Sequence, residues 1–293
     1  MKALVFGEIL WDIIEGEPHL GGAPLNFAAH VRQCGQESAI ISCLGKDDLG
    51  DKAFGMVKDL GVDVSFIQRS DIRTGFVPVT LKDGQPDYII TKDVAYDYIQ
   101  SEQLDHDKID TYDFFYFGSL IQRHAVSNKA LYDILDRHKF DEIFYDVNLR
   151  KDSYNKTIIE NSLKHCTVLK VNDEEVVVLS NMLFDEEQDF EGFGKSIMNR
   201  YPKIKSIVIT AGAKGSYVFH DNQLDFIPTE KIKVADTVGA GDSFSAAFIC
   251  TYHLSGDPVK SARIANKVGG FVASSRGPIP KYPEELIQLI NEV

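Results

Sequence analysis

The sequence predicts a doubly wound α/β protein with a mainly parallel sheet. Three observations predict it. Short apolar runs of four to six residues recur along the chain, as expected of strands with both faces covered. Between them lie segments with helical apolar spacing, the alternation that builds parallel sheets. The 293 residues, 44% hydrophobic and 26% charged, suffice for one large core without repeats or biased tracts. The chain is read as a single domain, 1–293.

The elements follow in order. Strand Ala3–Phe6 leads to helix Leu25–Cys34, and strand Ala39–Leu44 to helix Lys52–Leu60. Strands Phe114–Phe117 and Glu142–Asp146 precede helices Asn128–His138 and Lys156–His165. Strand Thr167–Val171, helix Phe190–Arg200 and strand Ser206–Thr210 come next, then helices Asp242–Leu254, Val259–Ser274 and Glu284–Glu292. Thr74–Ile90 breaks the rhythm with two strand-like runs around Asp83-Gly84, a hairpin turn signal. No helix follows either run. With the segment around Ile9–Ile14 it makes either a small β-lid, from segments near 9–20 and 74–91, or an antiparallel edge of the main sheet.

Charge and cysteine usage narrow the function classes. The net charge of -13 repels phosphate backbones and anionic lipid, so neither nucleic acid nor a membrane is an expected partner. The four cysteines, Cys34, Cys43, Cys166 and Cys250, are scattered without zinc spacing, as in a cytoplasmic protein with reduced thiols. The N-terminal apolar run is interrupted by Glu8 and Asp12, too soon for a signal peptide. No run approaches the ~18 apolar residues of a membrane span.

The strongest motif is Asp236–Asp242, DTVGAGD, at the start of a helix. Small residues Gly239, Ala240 and Gly241 let an anion approach main-chain N–H groups and the helix dipole. Asp242 beside that anion site suits a general base; the plainer alternative is a turn and a first-turn acid. Near the N-terminus, Gly21-Gly22-Ala23-Pro24-Leu25-Asn26 permits close backbone approach, and Asn26 both donates and accepts. Other phosphate signatures fail: Phe244 stands at the third glycine of G-x-G-x-x-G, and Asp189 where Walker A needs glycine.

These two elements together resemble the ribokinase/PfkB family of carbohydrate kinases, over almost the whole chain. GGAPLNFAAHVRQCG with Gly45 is similar to the family's N-terminal signature, and DTVGAGDSFSAAFI to its C-terminal one. Between them, Asp146–Arg150 resembles the D-P-N-x-R of fructokinases, Asn172–Glu175 the family's N-x-x-E, and Thr210–Gly215 its T-x-G-x-x-G. Val147 replaces the proline of the first, and Leu25 and Phe27 are bulkier than usual, which leaves the exact sugar open.

The resemblance implies a ribokinase-like fold and phosphoryl transfer from ATP to a sugar hydroxyl, fructose first. Asp242 is then the base, and the amides of Gly239, Ala240 and Gly241 hold the transferring group. Asp12, Gly22 and Asn26 bind sugar hydroxyls, and Arg150 clamps phosphate or substrate. Apart from the resemblance, Phe76 and Tyr88 in the hairpin either cover the sugar or simply pack, as aromatic residues in strands usually do. Asn172, Thr210, Gly212, Gly215 and Asn266 line the nucleotide groove. Glu175 and Asn148 help place Mg²⁺, and Asp236 with carbonyls near it and near Gly277 forms a K⁺ site. Lid-mediated homodimers occur in the family. Riboside or nucleoside kinases and 2-keto-3-deoxy sugar acid kinases of the same fold remain alternatives, as does a degenerate kinase acting as a sugar sensor. One physical point stands apart from the resemblance: Asn148, Arg150, Asn172, Glu175, Thr210 and Gly212 all follow predicted strand ends, where open parallel sheets bind ligands.

Overall fold

In chain order the strands are β1 (Lys2–Phe6), β2 (Leu10–Ile14), β3 (Glu17–Gly21), β4 (Glu37–Gly45), β5 (Ile67–Ser70), β6 (Gly75–Lys82), β7 (Gln85–Tyr88), β8 (Phe114–Gly118), β9 (Glu142–Asp146), β10 (Val168–Asn172), β11 (Ser206–Thr210), β12 (Gly215–His220) and β13 (Gln223–Pro228). The helices are α1 (Ala23–Gln33), α2 (Asp48–Asp59), α3 (His106–Ile109), α4 (Ala125–Arg137), α5 (Lys156–His165), α6 (Asp173–Phe184), α7 (Phe190–Arg200), α8 (Ala240–Ser255), α9 (Pro258–Ala273) and α10 (Glu284–Asn291). The computed structural model describes residues 1–14, 16–82, 85–88 and 90–292.

Nine strands form the main sheet in the order β13-β12-β11-β10-β9-β8-β1-β4-β5. The ladders from β11 to β5 are parallel, while β12 and β13 extend one side antiparallel. Alternation divides each central strand between two cores, the period-two rule of a sheet covered on both faces. Leu4, Phe6, Phe115 and Phe117 join the apolar residues of α4 to α7. Ala3, Val5, Phe114 and Tyr116 join those of α1, α2, α8, α9 and α10. All four cysteines are buried and free.

The Thr74–Ile90 region does not edge the main sheet. β6 and β7 belong to a separate four-stranded sheet of order β3-β2-β6-β7, in which β2 and β6 run parallel. The expected Asp83-Gly84 turn and the side chain of Tyr88 lie outside the described residues.

Three features depart from the sequence expectation. Helix α6 was missing from it, because Val176-Val177-Val178 reads as a strand. A capping box decides the outcome: Glu175 N–H donates to Asn172 Oδ1 at 2.7 Å, and Asn172 N–H to Glu175 Oε2 at 2.8 Å. Val176, Leu179 and Leu183 are then buried, while Val177 and Val178 face solvent. The antiparallel pair β12–β13 was missing too, since its turn at Asp221-Asn222 has no glycine; both residues adopt positive φ themselves, 47° and 60°. Helix α8 starts two residues before the expected Asp242, because Gly239 is its N-cap.

Candidate active site

Parallel strands β1, β8, β9, β10 and β11 all end at one edge of the main sheet. Helices α1 and α8 meet above that edge, and each delivers one predicted residue. Asn26 Nδ2 donates to Asp242 Oδ2 at 2.8 Å across 216 residues of sequence. Asn26 is 5% exposed, and its Oδ1 is buried without a partner among the described residues. Asp242 is half-buried. Burial pushes its pKa up to about 6, opposed by the Asn26 hydrogen bond, with Asp146 raising it and Lys170 and Arg150 lowering it.

The start of α8, expected to hold an anion, departs from that expectation at one residue. Gly239 adopts φ 79°, and a Cβ there would fall 2.4 Å from the Pro278 carbonyl oxygen, so glycine alone fits. The Ala240 N–H, expected to face the anion, turns back to the Thr237 carbonyl at 3.3 Å. The N–H groups of Gly241 and Asp242 have no main-chain acceptor among the described residues.

Sequence reasoning missed the floor beneath this helix start. Lys170, in the middle of the buried strand β10, pairs with Asp146 at 3.0 Å, with both side chains under one-tenth exposed. Burial acts to lower the Lys170 pKa, but Asp146 and Glu175 outweigh it and raise it. A Cβ on Gly241 would lie 3.8 Å from Lys170 Nζ, which puts a fixed cation under the α8 N-terminus. Asp146 also accepts from Ser245 Oγ at 3.1 Å. The signal was present: a lysine inside the apolar run VLKV demands a partner.

A cleft of about 710 Å³ runs from this point, and Asn172, Thr210, Gly212, Gly215 and Asn266 all line it, with Ala240 and Gly241 at the α8 end. Gly215 adopts φ 121°, and a Cβ there would meet the Ile227 carbonyl at 2.2 Å. Asn266 Nδ2 donates to that same carbonyl at 3.0 Å, tying α9 to β13. Ile232, Val234 and Phe244 add an apolar wall that sequence reasoning did not find; Ile232 and Val234 are large, exposed apolar residues in a loop.

On the other side of Asp242 stands the small sheet. Asp12, on β2, pairs across from His19 and Val77. Burial raises its pKa, and Arg150 and His19 oppose the rise. A Cβ on Gly21 would fall 2.7 Å from Asp12 Oδ2, so the glycine pair leaves room for this carboxylate. Gly22 is the N-cap of α1 with φ 114°. Arg150 is exposed, and its charge acts on Glu8, Asp12 and Asp242 together. Phe76 sits on β6 under Arg73, whose guanidinium lies 4.7 Å from the ring centroid.

Residues 6–285 match the pfkB family of carbohydrate kinases. The chain belongs to that family. An uncharacterized sugar kinase of Pyrococcus horikoshii is 30% identical over 292 residues, covering 92% of this chain and 89% of that one. Its crystal structure superposes with a TM-score of 0.86 over 100% of this chain and 99% of that one. Fructokinase-1 of Zea mays is 26% identical over 321 residues, covering 98% of this chain and 97% of that one. The fructokinase of Xylella fastidiosa with bound ATP shares the fold, with a TM-score of 0.86 at 21% identity over 99% of this chain and 98% of that one.

Of the residues predicted to hold cations in this pfkB-family kinase, Glu175 and Asp236 accept hydrogen bonds within the chain. Glu175 is 5% exposed. Its Oε1 accepts from Leu149 N–H at 2.7 Å and its Oε2 from Asn172 N–H. The carboxylate thus ties the 148–150 loop to the start of α6, and Asn148 holds a positive φ of 37° in that loop. Asp236 Oδ1 accepts from Val238 N–H at 3.0 Å. Among the described residues no three His, Cys, Asp or Glu side chains cluster as metal ligands, and no helix is long and apolar enough to cross a membrane.

Proposed function

We propose that this chain transfers the γ-phosphoryl group of ATP to a hydroxyl of fructose, with Asp242 as the general base. The observation that carries the reading is the position of Asp242. Its carboxylate accepts from Asn26 Nδ2 at the start of α8, where the Gly241 and Asp242 N–H groups have no main-chain acceptor among the described residues, at the end of a cleft large enough for a nucleotide. Phosphoryl transfer needs alignment and charge stabilisation more than covalent chemistry. The sugar hydroxyl attacks the γ-phosphorus and gives its proton to Asp242 while the bond from the γ-phosphorus to the bridging oxygen breaks and ADP leaves; the raised Asp242 pKa of about 6 suits a base working near neutrality. The Gly241 and Asp242 amides take the charge on the transferring oxygens; loss of one such donor typically costs ~3 kcal/mol of barrier. Lys170 adds a fixed positive field from below.

Asn172, Thr210, Gly212, Gly215 and Asn266 are assigned to the nucleotide groove, and Arg150 to the phosphates or the substrate. Glu175, Asn148 and Asn172 are assigned to Mg²⁺. The donor set fits, since both Glu175 oxygens already accept main-chain N–H bonds and Mg²⁺ keeps several waters between itself and the protein. The ion supplies charge neutralisation on the phosphate oxygens. Asp236 and the carbonyls near Gly277 are assigned to K⁺. The small sheet is assigned as a lid, with Asp12, Gly22 and Asn26 on sugar hydroxyls, and a homodimer through it is open to a test of assembly.

Fructose is favoured by the GGAP-x-N and D-x-N-L-R strings and by the fructokinase among the relatives spanning the chain. Asp12 and Glu8 beside Arg150 suit hydroxyls better than a second phosphate. The test is kcat/KM for fructose, ribose, fructose 6-phosphate, 2-keto-3-deoxygluconate and a purine nucleoside at fixed ATP, Mg²⁺ and K⁺. Fructose is expected to lead. Any other acceptor ahead by about tenfold, one decade of specificity, refutes fructose, and a panel with no acceptor refutes the kinase.

A further inference from the structure

Glu8 follows the end of β1 and is 5% exposed. Its own main-chain N–H lies against the carboxyl, and the nearest cationic influences are Arg150 and Arg123. No other hydrogen bond to this carboxyl occurs among the described residues. Arg123 is committed elsewhere: it pairs with Asp97 at 2.8 and 2.9 Å and donates to the Thr91 carbonyl at 2.6 Å. The carboxyl opens instead into a niche of about 10 Å³, lined with it by Ala23, Pro24, Tyr116, Asn148 and Arg150.

A buried carboxyl without partners is unfavourable unless a ligand completes it. The niche limits what that ligand presents. About 10 Å³ has room for one water-sized group, so a ligand at its mouth places one such group inside. An anion would face the carboxyl. A hydroxyl donates to Glu8 and accepts from Arg150 or Asn148, which matches the donors and acceptors around the niche. Ala23 and Pro24, which line the niche, begin the helix that carries Asn26, so the niche adjoins the Asn26–Asp242 contact.

We propose that this niche takes one hydroxyl of the acceptor sugar, and that Glu8 sets the discrimination between sugars that carry this hydroxyl and those that lack it. The inference rests on the sugar-kinase reading above and deepens it.

The test pairs residue with hydroxyl. kcat/KM is measured for the best acceptor of the panel and each of its singly deoxygenated analogues, with wild type, Glu8→Gln and Glu8→Ala. In wild type one analogue, other than the one lacking the reacting hydroxyl, falls by ~10²-fold, the scale of one lost hydrogen bond to a buried charged group. In Glu8→Ala that analogue returns to within about threefold of its parent, while the other ratios stay as in wild type, the non-additivity expected of groups in contact. If Glu8→Ala does not fold, Glu8→Gln of equal size carries the comparison and must lose at least about tenfold of the same selectivity. An analogue pattern unchanged in the variants defeats this proposal alone. A wild type that phosphorylates no sugar defeats the sugar-kinase reading as well.

Discussion

Replacing Asn26 with leucine removes the 2.8 Å hydrogen bond to Asp242 and nearly preserves side-chain size. The donor stabilises the ionised carboxylate, so its loss must raise the pKa. A hydrogen bond to a charged group contributes ~1.5–3 kcal/mol, and one pK unit corresponds to about 1.4 kcal/mol. Asp242 is half-exposed, and solvent screening places the effect at the lower end, ~1 unit. The acid limb of kcat should therefore move from about 6 to ~7. At pH 6 kcat falls about fivefold, and at pH 9 the loss of ionised base disappears. The assay is the pH profile of kcat at saturating ATP and sugar, which separates this shift from any rise in KM caused by losing the Asn26 contact. An acid limb that stays put or moves down would refute the coupling between Asn26 and the base.

Two further outcomes follow from other parts of the molecule. His30 is fully buried, its Nε2 bonded to the Pro278 carbonyl and its Nδ1 to the Tyr282 hydroxyl, and burial holds its pKa down at about 4. The unfolded chain takes up that proton near pH 6.5 and the folded chain does not, so this contribution to stability is lost as pH falls from 6.5 toward 4. Urea denaturation at pH 7 and 5 should show wild type losing ~2 kcal/mol more than His30→Gln; equal losses would contradict the buried neutral imidazole. If the small sheet closes over sugar, saturating sugar should slow amide exchange over Gly75–Lys82, and exchange indifferent to sugar would remove the lid assignment.

Much of the main sheet was legible because its strands are apolar on both faces and its ligand-facing residues sit at strand ends. The Asn26–Asp242 contact was legible only as two motifs, since nothing local joins residues 216 apart. Other features were hidden for physical reasons. The run Val176–Val178 carries strand propensity, and tertiary burial with the capping box overrides it. The parallel pairing of β2 with β6 joins segments some sixty residues apart, and periodicity cannot report partners. Glu8 was legible only as a charge interrupting an apolar run; its burial depends on Gly7, where a Cβ would meet Pro24 at 2.2 Å, and on the approach of α1. Lys170 alone announced itself, as a cation inside an apolar strand.

The central claim is that Asp242 takes the proton of the attacking sugar hydroxyl. The most direct measurement is single-turnover phosphorylation of the preferred sugar by Asp242→Asn, beside equilibrium binding of ATP and of sugar to the same variant. The amide keeps the shape of the carboxylate and removes its basicity. The account predicts a rate lower by at least ~10² with both affinities within about threefold of wild type. A near-normal rate, or a loss accounted for by weakened binding, would contradict it.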